Sequence, residues 1–371
     1  MSEQNTLLIL GTRGIPASHG GFETFAEYLA LYLSSKGWSV YVYCQEFNRG
    51  NSNIREETWN GVTRVIVPVA TPGSLGSIYF DLRSLKHALK KQGKVLILGY
   101  NTGIFASYLR AFGRRVVFNM DGIEWKRPKW PLLIRGWFRL NEAAAARIGT
   151  LLVADHPEIR RHLEAYVPSA KIDVIPYCAD RISCASAEPL KEYGLEPDQY
   201  FITVCRIEPE NSIYEIVYAF SQKSRNAKLV VLGHFSDSVE YHQMVRAVAS
   251  PEVIFTGAIY DKPTVNSLRF HARAYCHGHT VGGTNPSLVE ALGAGNAVIA
   301  HDNVFNRWTA GEEQCFFNDI PTCMSAFDEF SYESDRLRLA RKHAVERFEK
   351  DFTVDKVLRS YEVLIQRPEL L

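Results

Sequence analysis

The chain has 371 residues, 46% hydrophobic and 22% charged, which is the make-up of an ordinary globular protein long enough for two domains. Lys plus Arg (42) nearly balances Asp plus Glu (41), and a formal net charge of +1 leaves no global field for nucleic acid. Its seven cysteines are scattered, with no CxxC pair, which argues for free thiols in a reducing cytosol against a disulfide scaffold or a zinc site.

The opening residues, Met-Ser-Glu-Gln-Asn-Thr, lack the basic flank and cleavage site of a signal peptide. No stretch reaches the ~18 apolar residues needed to cross a bilayer, so the expected location is the cytoplasm. Short apolar runs then alternate with longer amphipathic segments. Leu7–Leu10 is read as the first strand, followed by a Gly-rich loop and a helix from about Glu23 to Ser35. Strands are expected at 40–43, 65–67, 95–98, 116–118, 151–154 and 172–175. A parallel sheet covered on both faces requires such fully apolar runs separated by helices, the pattern of a doubly wound α/β domain. From 181 to 198 the pattern gives way to polar residues with Pro189, Gly194 and Pro197, read as a linker. A second series follows at 201–204, 229–232, 253–255 and 297–300. Apolar residues at helical spacing (Val354, Val357, Leu358, Tyr361, Leu364) close the chain. The expected domains are 1–180, 199–350 and a C-terminal helix over 351–371 that can return to the N-terminal domain. Two doubly wound domains facing across a cleft would place ligands at strand ends and helix N-termini.

The densest chemical signal is the run from His279 to Gly295, containing Gly282, Gly283, Thr284, Asn285, Pro286, Ser287 and Glu290. Glycines let loop amides approach a ligand, Asn285 is a good N-cap, and Pro286 suits the first helical position. The helix should run to about Ala294 and stop at Gly295. Its positive end is suited to a diphosphate, and Glu290, about one turn in, can accept two ribose hydroxyls. A capped helix carrying a solvated Glu is the plain alternative.

The loop after the first strand, Gly11-Thr12-Arg13-Gly14-Ile15-Pro16-Ala17-Ser18-His19-Gly20-Gly21-Phe22-Glu23-Thr24, is a strand–loop–helix phosphate cradle or simply a glycine-bearing turn. Its spacing fits neither GxGxxG nor a Walker loop. Arg206, just past the strand that opens the second domain, either forks onto phosphate oxygens or pairs with Glu208 or Glu210 at the surface. Asp121 and Glu124 follow a strand in Asn119-Met120-Asp121-Gly122-Ile123-Glu124-Trp125-Lys126-Arg127. They either orient sugar hydroxyls and take a proton, or serve an Asp-Gly turn. Between Lys126 and Arg139, five cations mixed with Trp130, Trp137, Phe138 and leucines fit an anionic membrane surface, or a basic helix with one buried face. There is no HExxH and no Asp-x-Asp, so neither a metal nor a resident cofactor is expected.

Together these residues resemble the retaining glycosyltransferases of the GT-B group (GT4-like), whose donor helix carries a Glu-x7-Glu motif. Glu290 matches the second Glu, which holds the nucleotide ribose. The first falls on Gly282, so the carboxylate that contacts the transferred sugar is missing. Arg206 matches the Arg of that family's diphosphate-binding pair, but Asn211 and Ser212 stand where its Lys would be. Gly-Thr-Arg-Gly-Ile-Pro-Ala with Gly-Gly-Phe-Glu-Thr, Asp-Gly-Ile-Glu-Trp-Lys-Arg, and His-Gly-His-Thr-Val-Gly-Gly-Thr-Asn-Pro-Ser-Leu are similar to bacterial polysaccharide rhamnosyltransferases. The resemblance runs from Leu7 to about Tyr361, and it implies that 1–180 binds the acceptor and 199–350 the nucleotide sugar. It implies dTDP-β-L-rhamnose as donor, although neighbouring enzymes use UDP- or GDP-sugars. It also implies a saccharide acceptor on a lipid carrier, transfer with retention and a role in capsule or O-antigen synthesis. In the mechanism it implies, Arg206, the helix at Pro286 and the Gly20-Gly21 backbone stabilise the leaving diphosphate, Glu290 anchors the ribose, and Asp121 and Glu124 position acceptor or sugar. A sugar-nucleotide epimerase of the same fold and a non-catalytic nucleotide-sugar-binding subunit remain alternatives, whereas an oxidoreductase would need the absent GxGxxG.

Overall fold

The computed structural model describes residues 5–17, 20–50, 53–127 and 129–370. Ser18, His19 and Pro128, which belong to the motifs above, lie outside the described residues. The chain forms two compact units, one up to Pro176 together with Asp355 onward, the other Tyr177–Val354.

Unit 1 contains β1 (Thr6–Leu10), α1 (Gly21–Ser35), β2 (Ser39–Phe47), β3 (Arg55–Trp59), β4 (Val62–Val69), α2 (Gly73–Ala88), β5 (Lys94–Leu98), α3 (Ser107–Ala111), β6 (Val116–Asn119), α4 (Leu132–Ile148), β7 (Leu151–Ala154), α5 (Pro157–Leu163) and β8 (Ile172–Val174). The sheet order is β3-β4-β2-β1-β5-β6-β7-β8, parallel except for β3, which pairs antiparallel with β4. Strand order reverses between β1 and β5. The β3–β4 hairpin turns on Asn60 and Gly61, both at positive φ (48° and 79°), as a two-residue turn between right-twisted strands requires. Its outer strand, Arg-Glu-Glu-Thr-Trp, is polar and ion-paired to Glu46 and Arg64, which suits an uncovered sheet edge.

Unit 2 contains β9 (Tyr200–Val204), α6 (Ile213–Ser221), β10 (Lys228–Leu232), α7 (Glu240–Ala247), β11 (Val253–Gly257), α8 (Lys262–Phe270), β12 (Ala274–His277), α9 (Pro286–Gly293), β13 (Ala297–His301), α10 (Val304–Ala310), β14 (Cys315–Phe317), α11 (Ile320–Glu329) and α12 (Asp335–Asp351). Its sheet is wholly parallel in the order β11-β10-β9-β12-β13-β14, reversing between β9 and β12. Alternate residues feed two cores. Phe201, Leu229, Val231, Cys276 and Ile299 pack on one face. Ile202, Val230, Leu232, Tyr275 and Val298 pack on the other. Each such side chain contributes about 1.5–3 kcal/mol by leaving water, so strands apolar on both faces are what this architecture needs.

The stretch read as a linker, 181–198, is folded into unit 2. Leu190 and Leu195 are buried in its core, Ser267 Oγ donates to Ser186 O at 2.6 Å, and His271 Nε2 lies 3.0 Å from Ala185 O. Side chains of α8 and of the residue after it thus hold the backbone of this stretch, while most of its own polar side chains face solvent. The last helix, α13 (Val354–Ile365), joins unit 1. Tyr361 is buried with its ring 4.6 Å from Phe25, Tyr32 donates to Glu362 at 2.8 Å, and Lys94 donates to Ile365 O at 2.6 Å.

Candidate functional site

The loop and helix from His279 to Gly293 sit at the switch point of the unit 2 sheet, where crevices form because successive helices leave for opposite faces. Asn285 caps α9: its Oδ1 accepts from Ser287 N at 3.1 Å and from Ser287 Oγ at 2.9 Å, with Pro286 at the first helical position. The helix ends at Gly293 with Ala294 as its C-cap, and Gly295 turns away at φ 78°. The Tyr275 hydroxyl, on β12, lies 2.9 Å from Ser287 Oγ and 3.1 Å from Val204 O, tying the start of α9 to the end of β9. The loop is anchored further back, since Thr280 N and Oγ1 donate to Glu210 O and both Asn303 and Asn306 donate to His279 O. Thr284 is buried beneath it. Gly278 makes this approach possible, because a Cβ there would stand 2.1 Å from Asn211 O. The helix thus presents a pre-set positive end to any anion at the strand edge.

Gly282 has φ 140°, a region closed to ordinary L residues, while the space its Cβ would enter is open. The departure from Glu-x7-Glu is therefore a backbone feature as well as a lost carboxylate. Gly283 is half-buried beside it.

Glu290 is not simply solvated. Its Oε2 lies 2.5 Å from Nη2 of Arg269, which is 6% exposed against 42% for the carboxylate. Arg269, in the last turn of α8, was missed in the sequence because nothing in 21 residues of spacing shows that two helices will meet. It orients the carboxylate and still leaves lone pairs for hydroxyl donors. Arg206 follows β9 with its side chain 65% exposed, and Nη1 lies 3.6 Å from Glu208 Oε1. Its carbonyl accepts from Asn211 Nδ2 at 2.8 Å, which fixes the backbone while the guanidinium extends into solvent. So loose a surface pair contributes at most about 1 kcal/mol, and an incoming phosphate can displace it.

Below the loop, Tyr275, His277 and His279 form a column of rings, with His277 and His279 at 4.2 Å and 6°. His277 is fully buried and, among the described residues, neither ring nitrogen has a hydrogen-bond partner; burial holds its pKa well below the usual value.

In unit 1, Gly20 (φ 102°) precedes α1 and Gly21 begins it. Part of the expected phosphate cradle is already occupied: Arg13 N donates to Glu23 Oε1 at 3.1 Å and Ala17 N to Glu27 Oε2 at 2.6 Å. Two carboxylates from α1 therefore hold the loop where an anion was anticipated.

Asp121 sits past β6 at φ 52°, with its amide donating to Asn119 Oδ1 at 3.0 Å. Burial, reinforced by neighbouring Glu124, pushes its carboxyl up to about 6, within range of proton transfer near neutrality. Glu124 is employed differently. One oxygen lies 3.0 Å from Arg127 Nε, the other accepts from Trp130 Nε1 at 3.3 Å, and its amide donates to the Tyr100 hydroxyl at 2.8 Å. It fastens its own loop. Buried Glu142 does the same for the next residue, with Oε2 taking Trp125 Nε1 (3.0 Å) and Tyr166 OH (3.0 Å) and lying 2.9 Å from His162 Nε2. Among the described residues no group of three His, Cys, Asp or Glu is placed to hold a metal.

A family model described as a domain of unknown function (DUF1972) matches residues 4–180. No curated protein sequence matches the chain. Solved structures match over nearly the whole chain at low identity. Sucrose-phosphate synthase from Thermosynechococcus elongatus has TM-score 0.79 and 15% identity, covering 97% of this chain and 98% of its own. The α,α-trehalose-phosphate synthase (UDP-forming) of Burkholderia xenovorans, in complex with glucose-6-phosphate, has TM-score 0.76 and 13% identity, covering 98% and 100%. An E. coli structure, trehalose-6-phosphate bound with UDP-2-fluoro glucose, has TM-score 0.75 and 11% identity, covering 98% and 99%. The chain therefore has the GT-B fold, two Rossmann-like α/β domains.

Proposed function

We propose that this protein is a glycosyltransferase that moves a sugar from a nucleotide diphosphate to a saccharide acceptor. The carrying observation is the built anion site of unit 2: a capped helix N-terminus with its loop anchored from both sides, and a Glu–Arg pair one turn in. A diphosphate would lie at the start of α9 with its ribose on Glu290. Arg206 would leave Glu208 and fork onto the departing phosphate, where preorganised donors contribute most of the catalysis. Asp121, held at a strained φ with a raised pKa, serves the acceptor or the sugar. The similar structures solved with glucose-6-phosphate and with UDP-2-fluoro glucose accord with this reading.

The donor we propose is dTDP-β-L-rhamnose, transferred with retention and without a metal ion, in the synthesis of a bacterial surface polysaccharide. This rests on the motif resemblance, and a 6-deoxy sugar suits a loop with Gly282 in place of a carboxylate. We propose further that the acceptor is lipid-linked and that unit 1 touches the cytoplasmic face of the membrane. Leu132 and Leu133, at the start of α4, are 81% and 88% exposed beside Lys126, Lys129, Arg135 and Arg139, as an interfacial helix end would be. Among the described residues no helix is long and apolar enough to cross a membrane.

Calorimetry and NMR with a set of nucleotide sugars, in EDTA, test the donor. Selective binding of dTDP-rhamnose with slow release of dTDP is expected; preference for a UDP- or GDP-sugar would discard rhamnose, and silence to all would discard the transferase reading. Co-sedimentation with anionic vesicles, weakened in Leu132→Glu/Leu133→Glu, tests the membrane contact.

A further inference from the structure

His277, His279 and His301 stand at the carboxyl edge of the unit 2 sheet and have no part in the function proposed so far. His277 ends β12, His279 opens the loop that carries Gly282 and Gly283, and His301 ends the neighbouring β13. The Tyr275 ring stacks on His277 at 5.9 Å, and His277 lies on His279 at 4.2 Å and 6°. The Tyr275 hydroxyl, 2.9 Å from Ser287 Oγ, joins this column to the first turn of α9. The column therefore runs from the helix end of the anion site to its loop.

A nucleotide sugar brings two negative charges on its diphosphate. Of the two arginines at this edge, Arg269 is committed to Glu290, which leaves the exposed Arg206 and the end of α9, worth about half a charge. Compensation is incomplete, and an imidazole beside the anion is the group able to complete it near neutral pH. The charges that face the column come from each neighbouring element. His301 acts on His277, and itself feels Glu215 of α6 and Asp302, which is paired with Arg307. Tyr275 feels Arg269 of α8, Glu290 of α9 and the Cys205 thiol past β9. Among the described residues neither a carboxylate nor a hydrogen-bond partner holds the His277 ring. Burial alone sets its titration low, and a neighbouring anion opposes burial by favouring the charged ring. Two imidazoles face to face at 4.2 Å have room for one charge, since a second would repel the first at contact distance.

We infer that the stacked pair His277–His279 takes up one proton when a nucleotide sugar seats its diphosphate at the start of α9. The proton comes from solvent and is shared by the pair, supplying positive charge that the arginines leave short. It stays in place as the nucleoside diphosphate departs and negative charge grows on the leaving phosphate. Because binding consumes a proton, affinity falls as pH rises through the window between the unbound and bound titrations of the pair. That the anion is a nucleotide sugar rests on the function proposed above.

Calorimetry of the full chain with dTDP-rhamnose, UDP-glucose and GDP-mannose, in buffers of differing ionisation enthalpy, counts the proton. Nucleotide sugars suit this, because a diphosphate esterified at both ends has no group that titrates near neutrality. At pH 7 the ligand that binds best should draw about half a proton or more from the buffer, and its affinity should fall about threefold or more from pH 6 to pH 8. His277→Phe/His279→Phe keeps two stacked rings and removes both imidazoles. In that variant the uptake should vanish and the affinity become independent of pH, which a merely structural column would not produce; the melting temperature checks that it is folded. Should it fail to fold, spectra of the parent labelled with 15N-histidine decide. The ring nitrogens of one member of the pair, identified with His279→Gln, should change from the neutral to the protonated pattern when the nucleotide sugar is added. Binding without proton uptake, uptake retained in the folded double variant, or ring nitrogens that the ligand leaves unmoved would overturn the inference. Silence to every nucleotide sugar removes the transferase reading and this inference with it, an outcome distinct from binding without a proton.

Discussion

In unit 2 the sheet edge around β9 and β12 gathers Arg206, the capped start of α9 and the buried Arg269 behind Glu290. In unit 1 the corresponding edge around β1 and β5 gathers Asp81, with Asp121 past β6 and Glu23 and Glu27 on the amides of the first loop. Both edges come from the same strand order about a first parallel strand, and both carry a glycine-bearing loop. The chemistry of each is set by which side chains reach it. One edge gathers arginines and a capped helix N-terminus, while the other gathers carboxylates. A chain-wide net charge of +1 conceals this division.

The comparison can be broken most sharply at Arg206. If its guanidinium meets the leaving phosphate, Arg206→Ala should lower turnover by about 100-fold or more, as loss of one preorganised donor does elsewhere. Its melting temperature should stay unchanged, because the side chain is 65% exposed. A melting shift without a rate loss would move Arg206 to a structural role.

The acidic edge should appear in stability. Unfolded, the Asp81 carboxyl titrates near 3.8, and folded near 6, so between those pH values the native state keeps a proton that the unfolded chain has released. Its contribution is most favourable below pH 4 and falls as pH rises through 6. Asp81→Asn should therefore be more stable than the parent at pH 7, by about 2–3 kcal/mol, with no difference at pH 3.5. Urea melts at the two pH values read this directly, and Asp121→Asn should follow the same course.

Smaller effects sharpen the anion site. Glu290→Ala should weaken nucleotide binding about tenfold and also lower stability, since Arg269 is left buried without its partner. Glu290→Gln should recover most of the stability while restoring less of the binding. Smallest is Gly282→Ala, expected to cost about 1 kcal/mol for a side chain at φ 140°, readable as a few-fold loss of nucleotide affinity. Gly282→Glu should show the same loss and no gain, because the missing carboxylate is not separable from the loop's backbone.

Much of the unit 2 site was legible along the chain. Asn285, Pro286 and Gly295 mark α9 by purely local chemistry, and the helix begins and ends where they set it. The apolar runs gave the parallel strands for the same reason, since a strand buried on both faces leaves no room for polar alternation. Asn60-Gly61 was an equally local hairpin signal that the reading passed over, and β12 escaped because His277 interrupts its apolar run.

What the sequence by itself determined is therefore whatever depends on neighbours a few residues away: caps, turns, strand and helix periodicity, and hence a doubly wound fold. Tertiary structure alone decided the partners. Glu124, read along the chain as a group to orient a sugar or take a proton, is found bonded within its own loop to Arg127 and Trp130. Residues 181–198 looked like a linker and became part of unit 2, with Leu190 and Leu195 in its core. Arg269 and Asp81 acquired their meaning only when separate helices brought one against Glu290 and the other into a pocket. Charge pairing and burial act through space over a few ångströms, and no spacing along a chain encodes which distant elements will close that distance.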